Sequence, residues 1–192
     1  MRQVLACIDG IGNTTAVCDY AAWAARRLVA PLTYLHVIER HPERAASQDL
    51  SGSIGLGSQE ELLEELTRDE QERSRLLMNK GKLMLEAARQ RCEEDGVAEL
   101  EAWQRHGSLQ EALVELEDDI RVLVMGVRGE EHGEGELGAH LETVIRALHR
   151  PVLVVNGEFS VPEEIMLAYN GTEAAEKALE MVVASPLLGG LP

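Results

Sequence analysis

Short apolar segments alternate with amphipathic segments along most of the chain. Four continuous apolar runs and one alternating run predict β-strands, at residues 3–10, 32–39, 98–107, 120–126 and 151–155. The residues between them carry apolar side chains at helical spacing. Strands that alternate with helices in this way form parallel sheets covered on both faces. The pattern therefore predicts an α/β domain with a five-stranded parallel sheet, Rossmann-like, with helices on both faces.

Three intervening segments have distinctive compositions. Residues 40–57 are rich in Ser, Gly and Pro and predict a surface loop. The long helical segment that follows contains Gly81-Lys82, which lacks the Ser or Thr and the earlier glycine of a P-loop, so this pair predicts only a helix break. Ser108 with Glu111 three residues later predicts a capping box at the start of a short helix.

The beginning of the chain is repeated near its end. QVLACIDG at residues 3–10 can be aligned with EIMLAYNG at residues 164–171, and each segment precedes an Ala-rich helix that ends near a proline. We therefore predict a main domain at residues 1–157, a linker at 158–163 and an incomplete second domain, a β-strand plus an α-helix, at 164–192. The alternative is a chance similarity between two strand-helix segments.

Charge and cysteine content limit the classes of partner. The formal net charge is -16, which repels the phosphates of nucleic acids and of anionic lipids, so we expect neither nucleic acid nor membrane as a partner. The three cysteines are far apart and form no CxxC pair, so we expect neither a disulfide framework nor a thiolate metal site, which indicates a reducing cytoplasm. No apolar run resembles a signal peptide or a membrane span. These features predict a soluble, cytoplasmic protein.

A glycine-rich segment follows the predicted strand at residues 120–126. Residues 126–138 contain five glycines, of which Gly126 is the first and Gly138 the last, directly before an amphipathic helix. Such a turn presents unpaired backbone N–H groups and the positive end of the helix dipole to an anion. In an open parallel sheet, ligands bind at the carboxyl ends of the strands, where both Gly126 and Asp9 are expected. The segment is thus a candidate phosphate site.

Several motifs together resemble the universal stress protein family. They are an opening strand that ends in Asp9, HVI at 36–38, HGSLQEALVE before VLVMG, a G-x-x-G, a later L-G, and ETVIRALHRPVLVV. The resemblance covers residues 1–155, and residues 164–192 resemble the start of a second copy, as in tandem members of the family. The resemblance implies a stress-response protein.

Family members that bind ATP carry G-x2-G-x9-G followed by Ser or Thr. Gly126 and Gly129 match the first two glycines and Gly138 matches the third, but only eight residues separate Gly129 from Gly138. Ala139 stands where those members have a hydroxyl, although its backbone N–H remains. The motif is therefore retained in part.

The resemblance implies a role for each matching residue. Asp9 would face the ribose, Val37 would line the adenine pocket, and Met125 and Gly126 would lie under the nucleotide. Arg128 would be the only fixed cation of the loop. The residues placed around the phosphates are Gly129, Gly138, Ala139, His140 and Leu141.

Acidic residues near this loop oppose a polyphosphate. Five carboxylates lie close to the expected phosphate positions: Glu130, Glu131, Glu134, Glu136 and Glu142. Mg2+ could intervene, or these side chains could turn to water. Two hypotheses remain. One is a regulatory or signalling module that binds ATP, with Mg2+ as its counter-ion, and the other is a dimerising scaffold or protein-interaction module whose degenerate loop binds no nucleotide.

Catalysis and assembly complete the expectations. No nucleophile paired with a general base can be assigned, and HGEG at 132–135 lacks the G-x-S-x-G of hydrolases, so at most slow ATP hydrolysis is expected. His132, Glu134, Glu136 and His140 lack the spacing of a zinc site, so we predict no resident metal.

The apolar strand at 151–155 is expected at a sheet edge, which must be covered. We therefore predict a homodimer, or intramolecular docking of the second-domain remnant.

Overall fold

The structure, a computed structural model, describes residues 2–10, 12–39, 56–94, 96–97, 99–127 and 139–191. Most of the predicted loop at 40–57 lies outside these residues; its last two residues belong to a helix. The strands and helices are β1 (Gln3–Cys7), α1 (Thr14–Leu28), β2 (Leu32–Ile38), α2 (Leu56–Glu94), β3 (Leu100–His106), α3 (Leu109–Leu116), β4 (Ile120–Gly126), α4 (Ala139–Ala147), β5 (Val152–Val155) and α5 (Glu173–Ala184).

The five strands form one sheet in the order β3-β2-β1-β4-β5. Every neighbouring pair is parallel, so the predicted five-stranded parallel sheet is confirmed. β1 is the central strand: Val4 lies opposite Leu32 of β2 on one side and opposite Val122 of β4 on the other. The first strand of the chain therefore joins the two halves of the sheet.

Both faces of the sheet are buried, which explains the continuous apolar runs. Val4, Ala6 and Ile8 of β1 and its extension point into a cluster with α1 and α2, which we call the upper core. Leu5 points the other way, into a cluster with α3 and α4, which we call the lower core. A central strand covered on both faces must be apolar at every position, not at alternate positions.

The start of α3 differs from the predicted capping box. Ser108 occupies the N-cap position, but its side chain makes no capping hydrogen bond. Instead, the N–H of Leu109 donates to Oε1 of Glu39, at 2.9 Å. A carboxylate from the end of β2 therefore satisfies the helix terminus, because the parallel pairing of β2 and β3 brings their carboxyl ends together.

The helix break predicted at Gly81 is wrong, because α2 continues through this residue. Gly81 is buried, and a Cβ added to it would lie 2.5 Å from Nε2 of Gln104 and 2.6 Å from Cδ2 of His36. The missing side chain lets the helix approach β2 and β3 closely. Nε2 of Gln104 also donates to the carbonyl oxygen of Met78, at 3.2 Å, which ties the sheet to the helix at the same place.

The repeat near the end of the chain is formed only in part. The predicted helix is present as α5, and the hydroxyl of Thr172 caps it by accepting from the N–H of Ala175 at 3.3 Å. The predicted strand is not formed: residues 164–170 have no regular structure, and Met166 is 96% exposed. A parallel strand requires neighbours, and within the described residues no strand lies beside this segment.

The segment after α5 contacts the main domain. Leu187 is buried in the upper core, and Nη2 of Arg27 on α1 donates to the carbonyl oxygen of Gly189 at 2.5 Å. Before α5, the ring of Phe159 stands edge-on to the ring of Tyr20 on α1, with 4.8 Å between centroids. The end of the remnant is therefore docked against α1, and not by strand pairing at β5.

Candidate functional site

The strand order places a topological switch point, which we call the crevice, at the carboxyl ends of β1 and β4. From β1 the chain passes to β2 on one side, whereas β4 and β5 lie on the other side. The helix after β1 packs on the upper core and the helix after β4 packs on the lower core, and such a switch point is where open α/β sheets bind ligands. Asp9 lies two residues beyond the end of β1, and Gly126 is the last residue of β4.

The Asp9 carboxylate is oriented by the first turn of α1. The hydroxyl of Thr14 donates to Oδ1 of Asp9, at 3.3 Å. Burial, and secondly the charge of Asp9, raise the pKa of Cys7 to about 12, so Asp9 lies near this thiol. Sequence reasoning found Asp9 but missed Thr14. The signal that could have indicated it is a hydroxyl residue at the start of the helix that follows Asp9.

The residue before Asp9 is fixed by two hydrogen bonds. The N–H of Ile8 donates to the carbonyl oxygen of Leu35, at 3.0 Å. The carbonyl oxygen of Ile8 lies 2.9 Å from Nδ1 of His36, and because a carbonyl can only accept, Nδ1 carries the hydrogen. Gly10 then has a φ of 78°, and a Cβ on it would lie 2.8 Å from Sδ of Met84 on α2. The β1 lip of the crevice is thus held between β2 and α2.

Apolar site residues form the wall of the crevice on the side of the lower core. Met125 and Leu141 are buried in that cluster, and the half-buried Val37 packs against it. On the other lip, the N–H of Val127 donates to the carbonyl oxygen of Val155, at 2.9 Å, which fixes the exit from β4. The structure therefore brings Val37, Met125 and Leu141 into one cluster beneath the strand ends.

The phosphate end of the site is described at its helix only. Arg128, Gly129 and Gly138 lie outside the described residues, and so do Glu130, Glu131, Glu134 and Glu136. Of Ala139 and His140 the backbone is described, as the first residues of α4. The burial of Leu141 anchors this helix start to the lower core. The first N–H groups of a helix have no partner within it and carry the positive end of its dipole.

One of the five carboxylates is accounted for. Glu142 is exposed, and its Oε1 accepts from Nη2 of Arg146, at 2.6 Å, one turn later on α4. The carboxylate of Glu142 is therefore exposed to water, and the guanidinium of Arg146 compensates its charge. An exposed pair of this kind contributes little to stability, but it removes one unpaired negative charge from the neighbourhood of the helix start.

Thiols and metal ligands offer no second chemistry in the described part of the chain. None of the three cysteines forms a disulfide, and burial is the main cause that raises the pKa of Cys18 to about 12, as it does for Cys7. Such thiols are almost fully protonated at neutral pH and react slowly. Among the residues that the structure describes, no group of three His, Cys, Asp or Glu side chains could hold a metal ion. None of the described helices is long and apolar enough to cross a membrane.

The fold and the crevice together define an α/β domain with a candidate ligand site at its switch point. The model of the Universal stress protein family matches residues 1–156. The chain is also 34% identical over 195 residues to universal stress protein Slr1230 of Synechocystis sp., an alignment that covers 100% of this chain and 68% of the relative. The chain belongs to the universal stress protein family, as its motifs indicated.

Solved structures of universal stress proteins share the fold. One, in complex with cAMP, is 21% identical, with a TM-score of 0.53; the match covers 81% of this chain and 96% of that chain. Another, from Archaeoglobus fulgidus in complex with dAMP, is 17% identical, also with a TM-score of 0.53, and the match covers 80% and 97%. At this level of identity the likeness concerns the fold alone.

Proposed function

We propose that the chain is a stress-response protein whose α/β domain binds an adenine nucleotide, in the first place ATP, and acts as a regulatory or signalling module. The carrying observation is the switch point of the sheet: Asp9, oriented by Thr14, follows β1, and Met125 lies near the end of the neighbouring β4, in one cluster with Val37 and with Leu141 of α4. Two structurally similar universal stress proteins that hold cAMP and dAMP support an adenine nucleotide as the ligand.

Each part of the crevice would bind one part of the nucleotide. Asp9, oriented by Thr14, would accept hydrogen bonds from the ribose hydroxyls. Val37 would contact the adenine, and Met125 with Gly126 would support the nucleotide from below. These groups are fixed before any ligand arrives, so little conformational entropy would be lost on binding.

The phosphates would lie at the start of α4. The N–H groups of Ala139, His140 and Leu141 open this helix, and helix N-termini favour anions. Gly129, Gly138 and Arg128 complete the proposed phosphate set. Mg2+ is the proposed counter-ion for the remaining acidic residues of the loop. We propose a binding function, with at most slow ATP hydrolysis.

Calorimetric titration with Mg-ATP and with AMP tests this proposal, after any copurified nucleotide has been removed. Asp9→Asn is expected to weaken both ligands by roughly 10-fold to 100-fold, because it removes charge-assisted hydrogen bonds to the ribose. Asp119→Asn is the matched control, since Asp119 is an exposed carboxylate next to the opposite end of β4. Wild-type protein that shows no heat and no copurified nucleotide would refute nucleotide binding.

The second candidate function is a dimerising scaffold, and the free edge of the sheet favours it. β5 pairs with β4 on one side, and in the described residues no strand covers its other side. Val154 of β5 is 36% exposed. We propose that a second copy pairs with this edge, in a cytoplasmic homodimer, and that residues 164–192 begin a second domain.

Measurement of the molar mass by light scattering tests the pairing at this edge. Val154→Lys should give a monomer, whereas Glu158→Lys, at an exposed position, should remain a dimer. A monomeric wild type would contradict the pairing.

A further inference from the structure

The segment Ser185–Leu191 is attached to the main domain by few contacts. The side chain of Leu187 is 8% exposed and, with the half-buried Leu188, packs into the upper core. The guanidinium of Arg27 donates to the carbonyl oxygen of Gly189 and lies over the ring of Trp23, 5.9 Å from its centroid. The segment itself is a compact turn, because the N–H groups of residues 188, 189 and 191 donate to carbonyls within it.

This segment contributes apolar side chains to the upper core. Val155 of β5 is buried in the upper core, and Leu153 packs against the same cluster from a half-buried position. Trp23 of α1 belongs to this cluster too. The C-terminal part of the chain adds Leu187, Leu188 and Phe159 to this cluster. The segment therefore completes the upper core, and it makes a polar contact with Arg27 of α1.

The chain between these two contacts is weakly held. Residues 161–170 have no regular structure, and none of the residues of α5 is buried in the described part of the chain. Apolar side chains of α5 are exposed, among them Leu179, Met181 and Val183. Few buried contacts and an exposed backbone are the features of segments that open locally at low free energy.

The polar contact is also incomplete. Nη2 of Arg27 reaches Gly189, but its Nε atom is buried and finds no acceptor among the described residues. A buried donor without an acceptor carries a desolvation cost in the docked state. Undocking would return this atom to water and recover that cost. Burial of Leu187 favours the docked state, and the buried Nε of Arg27 opposes it. The free-energy difference between the docked and undocked states is therefore smaller than the burial of Leu187 alone would give.

We propose that Ser185–Leu191 is a latch that docks and undocks as one unit while the five-stranded sheet stays folded. Arg27 is its polar anchor and Leu187 its apolar anchor. In the undocked state the part of the upper core that Leu187 and Leu188 cover is exposed, and the carboxyl end of α5 is released from α1. The latch is a conformational switch on the face of the molecule opposite the lower core, and it does not depend on nucleotide binding.

Native-state hydrogen exchange of the full chain tests this proposal. The reporters are the hydrogen-bonded amides of residues 188, 189 and 191, compared with amides of β1 and β4. Arg27→Met removes the hydrogen bond to Gly189 and the guanidinium over Trp23, and these losses should outweigh the recovered cost of the buried Nε, so the latch amides should exchange roughly tenfold faster, with unchanged exchange in β1 and β4. Arg26→Met changes the adjacent, exposed arginine and should leave the latch amides unaffected.

A second variant keeps the test independent of Arg27. Leu187→Asp should accelerate the same amides and increase binding of an apolar dye, whereas Leu179→Asp, on exposed α5, should do neither. The proposal is overturned if the latch amides of the wild type exchange no faster than those of β1 and β4, since the segment would then open only with the whole domain. It is equally overturned if Arg27→Met and Arg26→Met have the same effect, or if Arg27→Met accelerates β1 as much as the latch.

Discussion

Glu39 and Leu109 join the end of one strand to the start of a helix 70 positions later. Oε1 of Glu39 accepts the N–H of Leu109 at 2.9 Å, while the neighbouring Ser108 side chain makes no capping bond. Local sequence rules favour Ser108 as the cap of this helix. In the structure Glu39 caps it instead, because strand pairing brings this carboxylate to the start of the helix.

Removal of this carboxylate should destabilise the domain. Glu39→Ala leaves a helix N–H without its acceptor, and loss of a helix cap costs about 1 kcal/mol. Ser108→Ala is the matched control and should change the free energy of unfolding much less, because the hydroxyl caps nothing. Urea denaturation of both variants measures the difference. Equal losses, or a larger loss for Ser108→Ala, would show that the hydroxyl is the cap.

Gly81→Ala should destabilise the protein although alanine favours helices. The new Cβ would lie 2.5 Å from Nε2 of Gln104 and 2.6 Å from Cδ2 of His36, and overpacking of this kind costs roughly 1–3 kcal/mol. Ser74→Ala, at a half-buried position of the same helix, serves as the propensity control. The melting temperature of each variant is the measurement. A Gly81→Ala protein that melts higher than the wild type would contradict the close approach of α2.

The double variant Gly81→Ala with Gln104→Ala separates the two clashes. Removing the Gln104 amide gives the new methyl group room on that side, whereas the His36 ring is held by its contact with the carbonyl of Ile8. We expect partial recovery of stability relative to Gly81→Ala alone. Full additivity of the two losses would mean that the side chains do not compete for space.

Stability should fall in alkaline solution because two thiols are kept neutral in the fold. Burial raises the pKa of Cys7 and Cys18 from 9.0 to about 12, so the unfolded chain loses these protons first. The contribution of the two protonated thiols to the free energy of unfolding is fully present below pH 9. It is lost as the pH rises towards 12, by up to about 1.4 kcal/mol per thiol per pH unit. Burial also raises the pKa of Tyr34, so the comparison is restricted to pH 9 to 10. The variant Cys7→Ala with Cys18→Ala should show a flatter dependence; an unchanged slope would refute the assignment.

The ion pair between α1 and α2 should stabilise their packing modestly. Arg91 donates from Nε and Nη2 to the two carboxylate oxygens of Asp19, at 2.5 and 2.9 Å. The pair is bidentate and the aspartate is largely buried. Asp19→Asn should therefore lower the free energy of unfolding by about 1 kcal/mol, the upper end of the range measured for exposed ion pairs. Glu173→Gln, in the fully exposed pair with Lys177, is the control and should cost less. Chemical denaturation that ranks the two variants the other way would contradict the geometry.

The sequence pattern was sufficient to predict the sheet, because the burial of a strand determines which of that strand's own positions are apolar. Each of the five strands was predicted, since a strand covered on both faces shows a continuous apolar run and β3 shows alternation. The positions of Asp9, Val37 and Met125 follow from strand ends, so the crevice could be predicted as well. Which strand ends are neighbours depends on the strand order, which the local pattern does not determine and the structure shows.

Contacts between distant segments could not be predicted from local patterns. Gly81 was interpreted as a helix break because glycine weakens helices, but its neighbours Gln104 and His36 come from strands that sequence spacing does not place against it. The roles of Glu39 and Thr14 likewise depend on side chains that meet only in the fold. The strand at 164–171 was predicted from its apolar residues, whereas a strand also needs neighbours that composition cannot supply.

The central place of β1 has a consequence for synthesis on the ribosome. Its first partner, β2, is complete at residue 38, but its second partner, β4, is complete only at residue 126. During that interval a nascent chain exposes one edge of an apolar strand, and uncovered strand edges favour aggregation. The order of the strands in the sheet therefore delays the protection of β1 until more than half of the chain has been made.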